Sequence, residues 1–90
     1  MNNLKELECM YNQLSSIDLS TNSNLRILKV GNNLLTSIDL TQNLFLNTLN
    51  VQNNSLSSLD VSLNINLRNI GANNNLLTIV NLGSNDLLEI

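Results

Sequence analysis

The 90-residue sequence predicts a parallel solenoid: a right-handed coil of about four 21-residue turns, mostly β, with little or no helix. Each turn is expected to carry two short parallel strands, and these stack into two facing parallel sheets. Three observations carry the prediction. First, a step of 21 residues returns to the same residue type: Leu4, Leu25, Leu46, Leu67 and Leu88 form one column, and Leu7, Leu28, Leu49 and Ile70 the next. A fixed period of this length is the signature of a stacked repeat. Second, each unit is nearly doubled. Leu25-x-x-Leu28-x-Val30-x-x-Asn33 is followed by Leu35-x-x-Ile38-x-Leu40-x-x-Asn43. Third, apolar residues alternate over short segments, as in half-buried strands, and nowhere recur at helical spacing beyond a single pair.

Taken in order, the units are residues 4–24, 25–45, 46–66 and 67–87, with the start of a fifth at 88–90. Together they make one array. Met1-Asn2-Asn3 aligns with the tail of a preceding unit and brings no polar cap. The chain is therefore expected to be part of a longer array. Solenoid ends need polar caps for solubility, and bare strand edges invite pairing. End-to-end self-association is the expected consequence.

Within a unit, the inward columns are Cys9/Val30/Val51/Ala72, Leu14/Leu35/Leu56/Leu77, Ile17/Ile38/Leu59/Val80 and Leu19/Leu40/Val61/Leu82. Cys9 reads as a small buried hydrophobe, because the chain holds no histidine and no second cysteine to work with it. Right-handedness follows from the crossover rule for parallel strands. With no proline and only Gly31, Gly71 and Gly83, the turns fall to asparagine, which tolerates left-handed backbone. Two asparagine columns, Asn12/Asn33/Asn54/Asn75 and Asn22/Asn43/Asn64/Asn85, follow the strands. An amide turned inward can satisfy main-chain groups of its own and an adjoining coil. Asn33→Ala is expected to destabilise by roughly 1–3 kcal/mol. The spacers Ser23-Asn24, Leu44-Phe45, Ile65-Asn66 and Asp86-Leu87 vary, and their apolar members are expected to pack locally at the corner of the coil.

Both halves of the unit read LxxLxLxxN, and Leu14-Ser-Ser-Ile-Asp-Leu19, Leu35-Thr-Ser-Ile-Asp-Leu40 and Leu56-Ser-Ser-Leu-Asp-Val61 add an LxxLDL tail. In this the chain resembles leucine-rich repeat proteins, and more narrowly the short nested bacterial class called IRREKO repeats. The resemblance spans essentially the whole chain. It implies a bacterial, extracellular or cell-surface protein that binds partners through its strand face. No signal peptide is legible in this chain.

Composition excludes several functions. Lys5, Arg26, Lys29 and Arg68 are too few to neutralise a phosphate backbone, and the net charge is -3, so nucleic acid is not an expected partner. No apolar run approaches a membrane span. No cofactor and no metal ion are expected. The outward residues of the second strand stay nearly constant: Ser16-Asp18-Ser20, Ser37-Asp39-Thr41 and Ser58-Asp60-Ser62, then Ile79-Asn81-Gly83. Three aspartates made equivalent by repetition are a poor acid–base pair, which needs two different environments. A straight column of exposed carboxylates is also a poor calcium cage. Catalysis is not expected, and the charge in this column speaks against an ice-binding face.

The outward residues of the first strand drift instead. They read Glu6-Glu8-Met10, Ile27-Lys29-Gly31, Thr48-Asn50-Gln52 and Asn69-Gly71-Asn73. Lys5, Arg26, Asn47 and Arg68 line the rim, and Tyr11 lies near one corner. A column that stays constant within one chain answers to the coil. One that drifts is free of the coil and answers to a partner. The expected partner-binding residues are therefore Lys5, Glu6, Glu8, Met10, Tyr11, Arg26, Ile27, Lys29, Thr48, Asn50, Gln52, Arg68, Asn69 and Asn73. The expected ligand is a protein or a glycan. The competing reading is a spacer array with no ligand of its own.

Overall fold

A computed structural model of the chain describes residues 3–83. Met1, Asn2, Asn85, the Asp86-Leu87 spacer and the start of the fifth unit lie outside the described residues. Alternation of inward leucine and outward polar residues gives strands of only three residues, because the chain turns after each one. In chain order they are β1 (Glu6–Glu8), β2 (Ile27–Lys29), β3 (Thr48–Asn50), β4 (Ser58–Asp60), β5 (Asn69–Gly71) and β6 (Ile79–Asn81). No helix forms among the described residues.

The first half of each coil contributes one strand to a parallel sheet ordered β1-β2-β3-β5. Its register is the repeat itself: Leu7 pairs with Leu28, Leu28 with Leu49 and Leu49 with Ile70. Main-chain bonds continue past both ends of each strand. Arg26 N–H donates to Lys5 C=O at 2.8 Å, Val30 N–H to Asn50 C=O at 2.8 Å, and Asn32 N–H to Gln52 C=O at 2.9 Å.

The second sheet is shorter than the sequence suggests. Only β4 and β6 pair, joining the last two described coils. The matching segments of the first two coils, residues 16–18 and 37–39, follow the same path without a ladder. One main-chain bond per step ties this side of the stack, Leu34 N–H to Leu14 C=O at 2.8 Å and Ser55 N–H to Leu35 C=O at 2.8 Å.

Between the two sides lies a single apolar core. Leu25, Leu28, Leu35, Leu46, Val30, Val51, Leu56 and Val61 are wholly enclosed. Each such side chain contributes about 1.5–3 kcal/mol relative to exposure. The first and last coils bury less: Leu4, Leu7, Cys9, Leu14, Ala72 and Leu77 are half-buried against this core. Cys9 sits inward in its valine column, as its place in the repeat implies.

The asparagine columns satisfy the turns. Asn54 Nδ2 donates to Val51 C=O in its own coil at 3.0 Å and to Val30 C=O in the preceding coil at 3.1 Å, while its Oδ1 accepts from Leu35 N–H at 3.0 Å. Asn33 and Asn75 repeat this pattern. The reach is backward along the stack, and among the described residues Asn12 bonds only to Cys9 and Met10 of its own coil. In the second column Asn64 Nδ2 donates to Leu40 C=O at 3.0 Å and to Asn43 C=O at 2.8 Å. Asn43 does the same one coil earlier. Its Oδ1 is buried without a partner, and the fold offers no physical reason for that.

Residues just before the first asparagine column take a left-handed backbone. Asn32, Asn53 and Asn74 have φ of 60°, 57° and 58°, and Tyr11 has φ of 60°. Asparagine accepts this conformation with little strain, whereas a bulky residue is disfavoured there. In the first coil tyrosine occupies a position that elsewhere belongs to asparagine.

Candidate interaction surface

Register places the drifting residues side by side. Glu6, Ile27, Thr48 and Asn69 form one outward column, and Glu8, Lys29, Asn50 and Gly71 the next. Glu6, Glu8 and Asn69 are exposed, and Ile27, Lys29, Thr48 and Asn50 are half-buried by their neighbours. Met10, Gln52 and Asn73 follow at the strand ends. Gly31, in the same column, is buried. Asn50 and Gln52 lean over it so closely that an added Cβ would meet Asn50 Oδ1 at 3.0 Å and Gln52 Cγ at 3.1 Å. A side chain at residue 31 would therefore displace the Asn50–Gln52 ridge that crosses the face.

Charge is uneven across this face. The Glu6 carboxyl is held above its ordinary value, first by its hydrogen bond with Glu8, then by desolvation and by repulsion from Glu8, with Lys29 pulling the other way. The acidic end of the face is thus the first coil, and the cation beside it is Lys29. Tyr11 stands beyond the strand end at the left-handed corner, 77% exposed.

Lys5, Arg26, Asn47 and Arg68 precede the four strands of the first sheet and form its rim. Here the structure adds residues that the sequence reading assigned to local packing. Phe45 and Ile65, from the spacers, remain 54% and 70% exposed. With Arg26, Asn47, Asn66 and Arg68 they line a groove of about 260 Å³. The sequence signal was present, an apolar spacer residue beside an arginine column. The period alone did not show that the two meet.

The constant second-half residues turn out to bond one another. Asp39 Oδ1 accepts from Thr41 N–H at 2.9 Å and from Thr41 Oγ1 at 2.6 Å, and Asp60 accepts from Ser62 at the same two distances. Asp18 accepts from Ser20 N–H at 2.9 Å. The hydroxyl and then the N–H of the residue two positions on hold all three carboxyls below their ordinary value. Asn81 makes the equivalent bond to Gly83 N–H at 3.1 Å. The column closes a turn in every coil, and this accounts for its constancy without a ligand. Among the described residues no three acidic, histidine or cysteine groups gather as a metal site, and no helix is long and apolar enough to cross a membrane.

Among solved structures, the functional domain of InlJ from Listeria monocytogenes, which includes a cysteine ladder, superposes on 94% of this chain with a TM-score of 0.91 and 30% sequence identity. That domain is a leucine-rich repeat structure. The present fold is a leucine-rich repeat solenoid. The chain spans 19% of the InlJ chain it matches. It carries one cysteine, so the ladders running through it are made of asparagine instead. No protein-family model matches the sequence, and no curated protein matches it.

Proposed function

We propose that the chain is a non-catalytic interaction module of a bacterial leucine-rich repeat protein, extracellular or at the cell surface. It grips a protein or glycan through the outward face of its first strands. The observation that carries this reading is the contrast within one coil. The inward columns repeat while the outward first-strand residues change from coil to coil, although the main-chain ladder beneath them does not. Tyr11 adds to it: an exposed ring stands where the backbone favours asparagine. Strained backbone at a surface position is a pointer to function. The short nested repeat class is the subfamily this reading assigns, on the doubled LxxLxLxxN pattern.

Arrays of secreted proteins and of glycans probed with the whole chain test it. Alanine at Met10, Tyr11, Ile27 and Lys29 together should weaken any captured ligand at least tenfold, with the melting temperature little changed. Undiminished binding by that variant would refute the strand-face assignment. The spacer reading is favoured by one observation, the bland Thr48, Asn50, Gln52, Asn69 and Asn73 of the last two coils. It predicts no ligand in either array. Self-association is a further part of the proposal. Leu59, Ile70, Ala72, Leu77, Val80 and Leu82, from the last two described coils, line an apolar hollow of about 320 Å³. Light scattering that shows mass growing with concentration supports it, and a constant monomer mass contradicts it.

A further inference from the structure

Two glycines stand in the outward columns of the first sheet, and the fold accounts for one of them. At Gly31 an added Cβ would meet Asn50 Oδ1 at 3.0 Å, Gln52 Cγ at 3.1 Å and Gln52 C=O at 3.2 Å, so crowding excludes a side chain. At Gly71 the nearest atoms to such a Cβ are Gln52 Oε1 at 3.7 Å, Asn50 Cγ at 3.8 Å and Asn50 Oδ1 at 3.9 Å, which is ordinary contact. The Gly71 backbone is not left-handed either, a conformation that belongs to Gly83. No bulge interrupts the ladder at this residue. Asn50 pairs with Gly71 in register, and Val51 N–H donates to Gly71 C=O at 2.8 Å. A glycine in a strand gives up packing and costs backbone entropy. With a turn, a bulge and crowding set aside, the remaining use for it is close approach of a ligand to the main chain.

Hydrogen-bonding side chains bound the notch that Gly71 leaves. The Asn50–Gln52 ridge forms one wall, with Gln52 Oε1 and the Asn50 amide nearest the notch. Gln52 N–H donates to Asn50 Oδ1 at 3.3 Å and ties the ridge together. Asn69 and Asn73, both exposed, stand two residues before and after Gly71. At about 3.3 Å per residue they are about 13 Å apart, which admits one pyranose ring and its hydrogen bonds. Lys29 lies on the far side of Asn50 from the notch.

These surroundings select a ligand class. A side-chain amide offers two donors and an acceptor whichever way it is turned. A charged segment would surrender hydration with no opposite charge among Thr48, Asn50, Gln52, Asn69 and Asn73 to replace it. An apolar one would strand the amides without partners. A neutral polyol matches them: neighbouring hydroxyls of a sugar ring donate to the amide oxygen and accept from its NH₂, while the C–H face of the ring rests on bare main chain.

We propose that Gly71 is the floor of a subsite on the strand face that receives one neutral pyranose unit of a glycan, held by the side-chain amides of Asn50 and Gln52. This rests on the strand-face reading and deepens it, because it names a ligand class for the two coils whose blandness otherwise favours a spacer.

The test is an NMR titration of the isotope-labelled whole chain with neutral trisaccharides of glucose, mannose, galactose and N-acetylglucosamine. At least one should saturably shift the Gly71 amide and the side-chain NH₂ signals of Asn50 and Gln52. Gly71→Ala, whose Cβ meets only ordinary contacts, should melt no lower than the parent yet bind that sugar at least fivefold more weakly. A panel that leaves these signals unmoved, or undiminished binding by Gly71→Ala, overturns the proposal. A lower melting temperature for Gly71→Ala would give the glycine a structural reason and overturn it too. A glucuronic acid trisaccharide that binds more tightly than every neutral one overturns the neutral assignment. The strand-face reading stands or falls separately. A protein captured in the array and lost by the Met10, Tyr11, Ile27 and Lys29 variant keeps that reading, even where a silent sugar panel removes the notch.

Discussion

In the first half of each coil the main chain bonds to the adjoining coil at the strand and on both sides of it. In the second half it does so continuously only between the last two described coils. Elsewhere in that half, side chains take over. Asp18 and Asp39 hold the turn by accepting from the N–H two residues on, and Asn43 holds the carbonyls of the coil before. This difference teaches why one outward face is constant and the other is not. Where side chains do structural bonding, the residue type is fixed by the coil. Where the ladder suffices, the outward side chain is released for other duties.

Truncation of core residues should break the comparison most visibly. Leu28 is wholly buried, while Ile38, its counterpart one half-unit on, is only half-buried. Leu28→Ala is expected to cost about 3–4 kcal/mol and Ile38→Ala about half as much. Urea denaturation of both variants checks this, and equal losses would erase the distinction between the halves.

Next in size is the asparagine column. Asn54→Ala orphans the N–H of Leu35 and leaves the carbonyls of Val30 and Val51 with the amides of Asn33 and Asn75 alone. It should cost roughly 1–3 kcal/mol. Asn12→Ala, whose bonds among the described residues stay within its own coil, should cost clearly less in the same denaturation series.

Tyr11→Asn should act the other way. Restoring the residue type that the left-handed corner carries in later coils is expected to stabilise by about 1 kcal/mol. The same change should weaken partner binding in the array experiment, so gain and loss together separate strain from function.

Smallest is the pH response. The Asp18, Asp39 and Asp60 carboxyls are lowered below 3.8, so the stability they supply is present above that value and is lost as pH falls through their folded values. Glu6 is raised above 4.5, so its folded state takes up a proton more readily, and repulsion on the first strand is relieved as pH falls through that value. Melting temperature should therefore rise slightly on acidification toward the Glu6 range and fall below pH 3.8. Asparagine at all three aspartates keeps the acceptor, as Asn81 does, and should flatten the acid limb. Glu8→Gln should remove the upper feature.

Much of this architecture was legible in the sequence because the coil is strictly periodic. The leucine columns, the first-sheet register and both asparagine ladders follow from a 21-residue step, which also separates the asparagine partners Asn64 and Asn43. What escaped was set by geometry across columns. The left-handed corner at Tyr11, Asn32, Asn53 and Asn74 was hidden because asparagine runs continue into the ladder column beside it. The short second sheet was hidden because Ser16–Asp18 and Ser37–Asp39 carry the same alternation as Ser58–Asp60. Phe45 and Ile65 were assigned to the corner, but the corner leaves them exposed beside Arg26 and Arg68. The partner-binding residues of the strand face rest on drift alone, which marks where a ligand is permitted and not what it is.

The most direct measurement compares thermal melts of two triple variants. One replaces three first-strand residues with threonine, at Glu6, Lys29 and Asn69. The other replaces Asp18, Asp39 and Asp60 with alanine. If the drifting face is free of the coil and the constant face is part of it, the threonine variant melts with the parent and the alanine variant melts lower. A threonine variant that falls as far as the alanine variant would contradict the account.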